Sequence, residues 1–205
     1  MHFDNAVVQF YVGDPLGVLG GYMKINTSRF GALDVQDADV IQFTDGLLGF
    51  ENLKRFFIVD PADDTLILWL QSMDTPEVAF PVLEPKIFKQ DYKVRLSANE
   101  LRALRIESIK KDILVYCILT IPNDITQMTA NLKAPIVIHS KTQLARQVVL
   151  QENEYSVKNL IYKDLLAVIM QVANQNSKIS AADAAGAATA LSLKTASSQV
   201  EVVAL

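Results

Sequence analysis

The chain holds one cysteine, Cys117, among 205 residues. A lone thiol excludes an intramolecular disulfide and cysteine-rich zinc sites, and it suits a reducing compartment. Histidine is almost as scarce, with only His2 and His139. There is no His/Glu helix motif, no glycine-rich phosphate loop with its lysine-plus-hydroxyl pair, and no nucleophile elbow. No apolar run approaches the roughly 18 residues that span a bilayer. Residues 1–5 lack the basic region that opens a signal peptide. Nineteen basic residues stand against 23 acidic ones, giving a net charge of -4 and a pI near 5.2. No basic stripe offers itself to nucleic acid. The expectation is a soluble, cytoplasmic protein with no cofactor, no metal, no membrane contact and no direct nucleic-acid contact. Its mild acidity is ordinary solubility charge or a complement to a basic protein partner.

What is present is apolar residues in short runs. Half of the chain is hydrophobic and 20% is charged, enough to bury one domain's core with an appendage. Residues 1–21 read as a leader segment, with a strand candidate at residues 7–12 and a flexible join at Gly13, Gly17, Gly20 and Gly21. From residue 22 to 154 the pattern is strand-rich. Runs at 40–43, 55–59, 66–70, 78–83 and 113–121 are bounded by turn chemistry such as Thr44-Asp45-Gly46 and Pro122-Asn123-Asp124. Pro81 and Pro135 imply an edge strand, a strand start or a bulge. The fold class is therefore mainly β: a small antiparallel barrel-like or sandwich domain with one short helix. That helix starts at Ser97, whose partner Glu100 completes a capping box between the staple residues Leu96 and Leu101; it is expected to end near Leu104.

The C-terminal region differs. Ile161, Leu165, Val168, Ile169 and Val172 recur at helical spacing, so residues 155–175 read as an amphipathic helix. Residues 176–205 are an alanine-rich tail with little to bury, expected as a frayed helix or disorder.

Some residues invite a chemical reading. Cys117 with His139 suggests a thiolate nucleophile, yet Cys117 sits in a continuous apolar run, which favours a buried, inert thiol. Asp63-Asp64 and Asn123-Asp124 offer oxygen ligands, but tight turns explain them better. Trp69 is a partner anchor or, more simply, a core residue. Lys133 and Asn131 either meet a partner or belong to a turn.

Four ordered segments carry a resemblance. They are Gly46-Leu47-Leu48-Gly49-Phe50-Glu51, then Trp69-Leu70-Gln71-Ser72 with Ala79-Phe80-Pro81-Val82, then Thr129 to Ile138, and Arg146-Gln147-Val148-Val149-Leu150. Together they resemble the bacterial flagellar assembly factor FliW family over residues 22–154. The resemblance implies a non-enzymatic barrel-like protein. It also implies two partners bound in a mutually exclusive way: flagellin, and the small basic RNA-binding regulator CsrA, whose repression of flagellin translation is thereby relieved. The matching residues Gly46, Gly49, Phe50, Glu51, Trp69, Gln71, Ser72, Asn131, Leu132, Lys133 and Pro135 are the expected partner-binding set. Leu48 stands where the family commonly has proline, and His139 where asparagine is usual. The leader and everything after about residue 155 are additional. That extra length opens an alternative: a structural or self-assembling homo-oligomer built through the C-terminal helix. A small-ligand-binding barrel is the third reading, and it would need a pocket with convergent polar groups.

Overall fold

A computed structural model describes residues 21–61, 65–108, 112–151, 154–182 and 200–204. The strand candidate at 7–12 and Asp63-Asp64 lie outside the described residues. In chain order the elements begin with a hairpin of β1 (Tyr22–Thr27) and β2 (Gly31–Gln36), followed by β3 (Ile41–Phe43), β4 (Arg55–Val59), β5 (Leu68–Ser72) and β6 (Ala79–Leu83). Next come β7 (Lys93–Leu96), α1 (Ala98–Ala103), β8 (Ile113–Thr120), β9 (Thr129–Ala130), β10 (Ile136–His139) and β11 (Leu144–Gln147). The last are β12 (Asn159–Leu160), α2 (Tyr162–Ala182) and β13 (Glu201–Ala204).

Strands β3, β4, β5, β6, β8, β10 and β11 form a closed ring, because β8 pairs with both β6 and β10 and β11 pairs with β3. Seven strands cannot alternate direction all the way around a ring, so one neighbouring pair must be parallel. That pair is β11 with β3, joined at Leu144↔Gln42 and Ala145↔Phe43. The expected antiparallel barrel is thus antiparallel at every ring seam but this one.

Alternation along each strand sends one face inward. Ile41, Phe43, Phe56, Leu70, Val82, Tyr116, Ile136, Ile138 and Ala145 form the apolar cluster inside the ring. There Phe43 and Phe56 meet edge to face at 5.1 Å. The interior of the ring is packed with these apolar side chains. Two outer layers cover the ring. The β1–β2 hairpin lays Leu33 and Val35 on Phe57 and Val59. On another side β7, α1 and the segment around Tyr155 pack on Val115, Cys117 and Val137.

The prolines fall where a missing N–H is harmless. Pro81 pairs with Trp69 on β5, but the β6–β8 ladder begins only at Val82. Pro135 immediately precedes β10. Helix α1 has the expected start: the Glu100 N–H donates to Ser97 Oγ at 3.3 Å, and the Ser97 N–H donates to Glu100 Oε2 at 2.6 Å. Leu96 is fully buried and Leu101 packs beside the same cluster.

The structure departs from expectation toward the C-terminus. The helix runs from Tyr162 to Ala182 rather than over 155–175. Residues before it are held extended, because β12 pairs with β9 and the Ile161 N–H donates to the Met128 carbonyl. The chain end is also corrected: Glu201–Ala204 is a strand, parallel to β7. Propensity reads alanine content but not the valines at 202 and 203, which find a sheet edge to pair with.

Candidate functional site: a glycine turn beside the closing strand

Between β3 and β4 the chain reverses through Leu47-Leu48-Gly49-Phe50, closed by the Phe50 N–H donating to the Leu47 carbonyl at 2.8 Å. Gly49, third in the turn, has φ +83°, the left-handed value that a type II turn requires there. Gly46 has φ +78°, and a Cβ on it would lie 2.7 Å from the Glu51 carbonyl oxygen. Both glycines are thus fixed by geometry, Gly46 doubly so.

The turn is tied to distant chain. Gln147 at the end of β11 accepts the Leu48 N–H through Oε1 at 2.9 Å and donates through Nε2 to the Ala134 carbonyl at 3.1 Å. One side chain therefore joins the glycine turn to the segment before β10. Glu51 Oε1 accepts the Gly49 N–H at 2.8 Å. That hydrogen bond, more than the nearby Lys54 charge, holds the Glu51 carboxyl below the usual carboxylate range. Phe50 leans edge to face on Phe80 at 5.0 Å.

The outcome is a small surface with apolar crests and charged flanks. Leu48 is 59% exposed, Phe50 41% and Val149 48%. A cleft of about 310 Å³ opens between Leu48 and Val149, lined by residues that include Asp45, Glu51, Glu100 and Arg146. Arg146 pairs with Asp45 at 3.1 Å across it. The carboxylates of Glu51 and Glu100 add to an acidic lip.

The expected partner-binding residues divide into groups. Gly46, Gly49, Phe50 and Glu51 build this surface. The 131–135 segment joins it through Gln147, but mostly by backbone. Asn131 accepts the Ala134 N–H through Oδ1 at 3.0 Å, so its side chain closes a turn. Leu132 is buried in the outer core. Lys133 uses its N–H on the Ser156 carbonyl and its own carbonyl on the Leu150 N–H. Pro135 is buried and accepts from the Val148 N–H.

Trp69, Gln71 and Ser72 lie elsewhere. Trp69 faces away from the ring interior and sits under the β1–β2 hairpin, where Phe30 meets it edge to face and the Arg29 guanidinium lies 3.7 Å from its ring centre. Gln71 and Ser72 are fully buried. Gln71 Nε2 donates to the carbonyls of Ser72, Pro76 and Val78. Ser72 Oγ accepts the N–H groups of Asp74 and Thr75 at 3.1 Å. All three hold β5 and its following turn in place.

Sequence reasoning passed over Asp45, Glu100, Arg146, Gln147 and Val149 as surface-forming residues. The Arg146–Leu150 run was visible as a motif; nothing local showed that it reaches the glycine turn.

Catalytic machinery is not assembled around the thiol. Burial pushes Cys117 up to about 12. His139 pairs with Ile113 in the β8–β10 ladder, four residues from Cys117 on β8, a separation of about 13 Å along the strand. Its Nδ1 lies 3.0 Å from the Leu104 carbonyl and 2.9 Å from Thr142 Oγ1. Asp124 Oδ1 accepts the Thr126 N–H, a turn role. Among the described residues no group of three or more His, Cys, Asp or Glu side chains could hold a metal ion, and no helix is long and apolar enough to cross a membrane.

Comparison with known proteins agrees with this architecture. Residues 24–161 match the family described as FliW protein. The flagellar assembly factor FliW of Bdellovibrio bacteriovorus is 41% identical over 165 residues, which cover 78% of this chain and 94% of the relative. That of Thermoanaerobacter pseudethanolicus is 41% identical over 144 residues, covering 70% and 95%. A crystal structure of the flagellar assembly factor FliW superposes with a TM-score of 0.63 at 34% identity, covering 68% of this chain and 96% of that one. With its closed barrel, its glycine turn and its ordered motifs all inside the matched region, this chain belongs to the FliW family of flagellar assembly factors.

Proposed function

We propose that this non-enzymatic assembly factor works by mutually exclusive protein binding. It binds CsrA and so relieves repression of flagellin translation; flagellin competes for it and returns CsrA to its mRNA. The observation that carries the reading is the surface around the Gly46–Glu51 turn. Exposed Leu48 and Phe50 stand on a turn whose left-handed backbone two glycines permit and whose N–H groups Gln147 and Glu51 tie, with the carboxylates of Asp45, Glu51 and Glu100 alongside. Apolar anchors on a preorganised turn lower the ordering cost of binding. Carboxylates at the rim suit a basic partner and speed encounter.

The test is titration calorimetry of the intact chain against CsrA, repeated with flagellin already bound. The expected result is CsrA binding that flagellin abolishes, and that Phe50→Ser weakens without lowering the melting temperature much. Binding of both partners together would overturn mutual exclusion. Absence of CsrA binding would overturn the reading itself.

A second reading rests on α2. Ile169 and Met170 are 50% and 55% exposed on this helix, and Leu160 just before it is 62% exposed. Apolar residues so placed favour self-association. A mass that rises with concentration in the intact chain, and falls to the monomer in Ile169→Lys/Met170→Lys, is its expected signature.

A further inference from the structure

Strand β7 belongs to no part of the barrel ring. Among the described residues its one strand partner is β13, paired in parallel as Glu201↔Lys93, Val202↔Val94, Val203↔Arg95 and Ala204↔Leu96. The two strands differ in standing. β7 lies inside the family match at 24–161, and β13 lies outside it. A shared sheet edge is thus covered by a segment that is not part of the shared region.

The fit of that segment defines what the edge accepts. Val94 and Leu96 are fully buried and face the outer core, while Lys93 and Arg95 face solvent. Val200 and Val202 pack against the same core cluster, so β-branched side chains at alternate positions cover it. On the other face Lys93 Nζ pairs with Glu201 Oε2 at 2.9 Å. Lys86 and Arg95 lie close enough to add to the positive field at that carboxylate. A strand edge with apolar sockets on one side and a cationic rim on the other has the properties of a peptide acceptor: backbone pairing supplies affinity, and alternate side chains supply selectivity.

We propose that the β7 edge is a strand-accepting site for an extended partner segment with a carboxylate opposite Lys93 and β-branched residues flanking it, and that β13 occupies this site in cis. The C-terminal strand is then a built-in competitor. A partner segment gains the edge only by displacing it, which makes access to β7 adjustable independently of the surface around Gly46–Glu51.

The experiment uses the full-length chain and a fluorescent peptide with the sequence of residues 200–204, read by anisotropy. A tethered competitor acts at a high effective concentration, so Val202→Pro, which breaks β13, is expected to tighten apparent peptide binding about tenfold or more over the unsubstituted chain. Lys93→Glu added to Val202→Pro is expected to abolish that gain, and a peptide with lysine in place of Glu201 to restore it. Should Val202→Pro fail to fold, Glu201→Lys loosens β13 at an ion pair whose members are 49% and 54% exposed, and a smaller gain is expected. A folded variant that binds no peptide overturns the proposal, as does binding indifferent to the charge exchange. A concentration-dependent dimer that Val202→Pro disperses would place β13 on a second copy and overturn occupation in cis.

Discussion

The side-chain amide of Gln147 accepts the backbone N–H of Leu48 at 2.9 Å, across 99 positions of sequence. Its other end donates to the Ala134 carbonyl. The glycine turn is therefore positioned by the last ring strand as well as by its own backbone, and that strand makes the one parallel seam of the barrel. Barrel closure and the shape of the exposed surface are a single structural fact.

Gln147→Ala should separate them. It removes two hydrogen bonds and leaves an N–H and a carbonyl to find water, at a cost of about 1–2 kcal/mol. Urea denaturation measures that loss. Binding at the turn should weaken further than stability alone requires, because Leu48 would no longer be held. Unchanged stability would show that the turn needs no external tie.

The two turn glycines should respond differently to alanine. At Gly49 the side chain meets nothing within 4 Å, and only φ +83° opposes it, a cost of about 1 kcal/mol. At Gly46 the same backbone penalty adds to a 2.7 Å approach to the Glu51 backbone, which cannot swing aside as a flexible side chain would. Gly46→Ala is expected to lose about 3 kcal/mol or more. Thermal melts of both variants, side by side, check the order; equal losses would contradict it.

The same contrast explains what was readable in the sequence. Arg55–Val59 is a strand over the residues that its pattern marks, and Ser97 with Glu100 announced α1, because strand alternation and capping are local. The seven-membered ring was not readable, since the Leu144↔Gln42 pairing has no local trace. β7 and β13, with four residues each, are too short to show a period. Gly46 was legible as a turn residue. Gln147 was not legible as the turn's tie, because a glutamine carries no mark of a partner so far away. Trp69, Gln71 and Ser72 entered the expected site through motif membership, yet strand geometry turns Trp69 under the β1–β2 hairpin, while Gln71 and Ser72 are buried in backbone hydrogen bonds.

Gln71 gives that last point a test. Its Nε2 is aimed at three carbonyl oxygens in a fully buried position. Gln71→Glu keeps the shape but replaces the donor with an anion facing those oxygens. At neutral pH the loss should be about 3 kcal/mol or more. Acidification, which protonates the new carboxyl and returns a donor, should recover part of it. Chemical denaturation at pH 7 and pH 5 provides the comparison, and a variant as stable as the unsubstituted chain at pH 7 would show that Gln71 is not the anchor of this turn.

The C-terminal strand should respond to pH through Glu201. Lys93 is the largest cause, by hydrogen bond and by charge, that holds the Glu201 carboxyl below its ordinary range; Lys86 and Arg95 add to it. A carboxyl with a depressed folded value contributes stabilisation that is present above its unfolded value, about 4.3, and is lost as pH falls through the lower folded one. Pairing of β13 with β7 should therefore hold unchanged from pH 7 to about 5 and loosen only below about 4. Methyl resonances of Val200 and Val202, which pack on the outer core, report the release by NMR. Lys93→Gln should remove the step by raising the folded value of Glu201 back toward its unfolded one. A transition of the same size and midpoint in that variant would assign the acid response to another carboxylate.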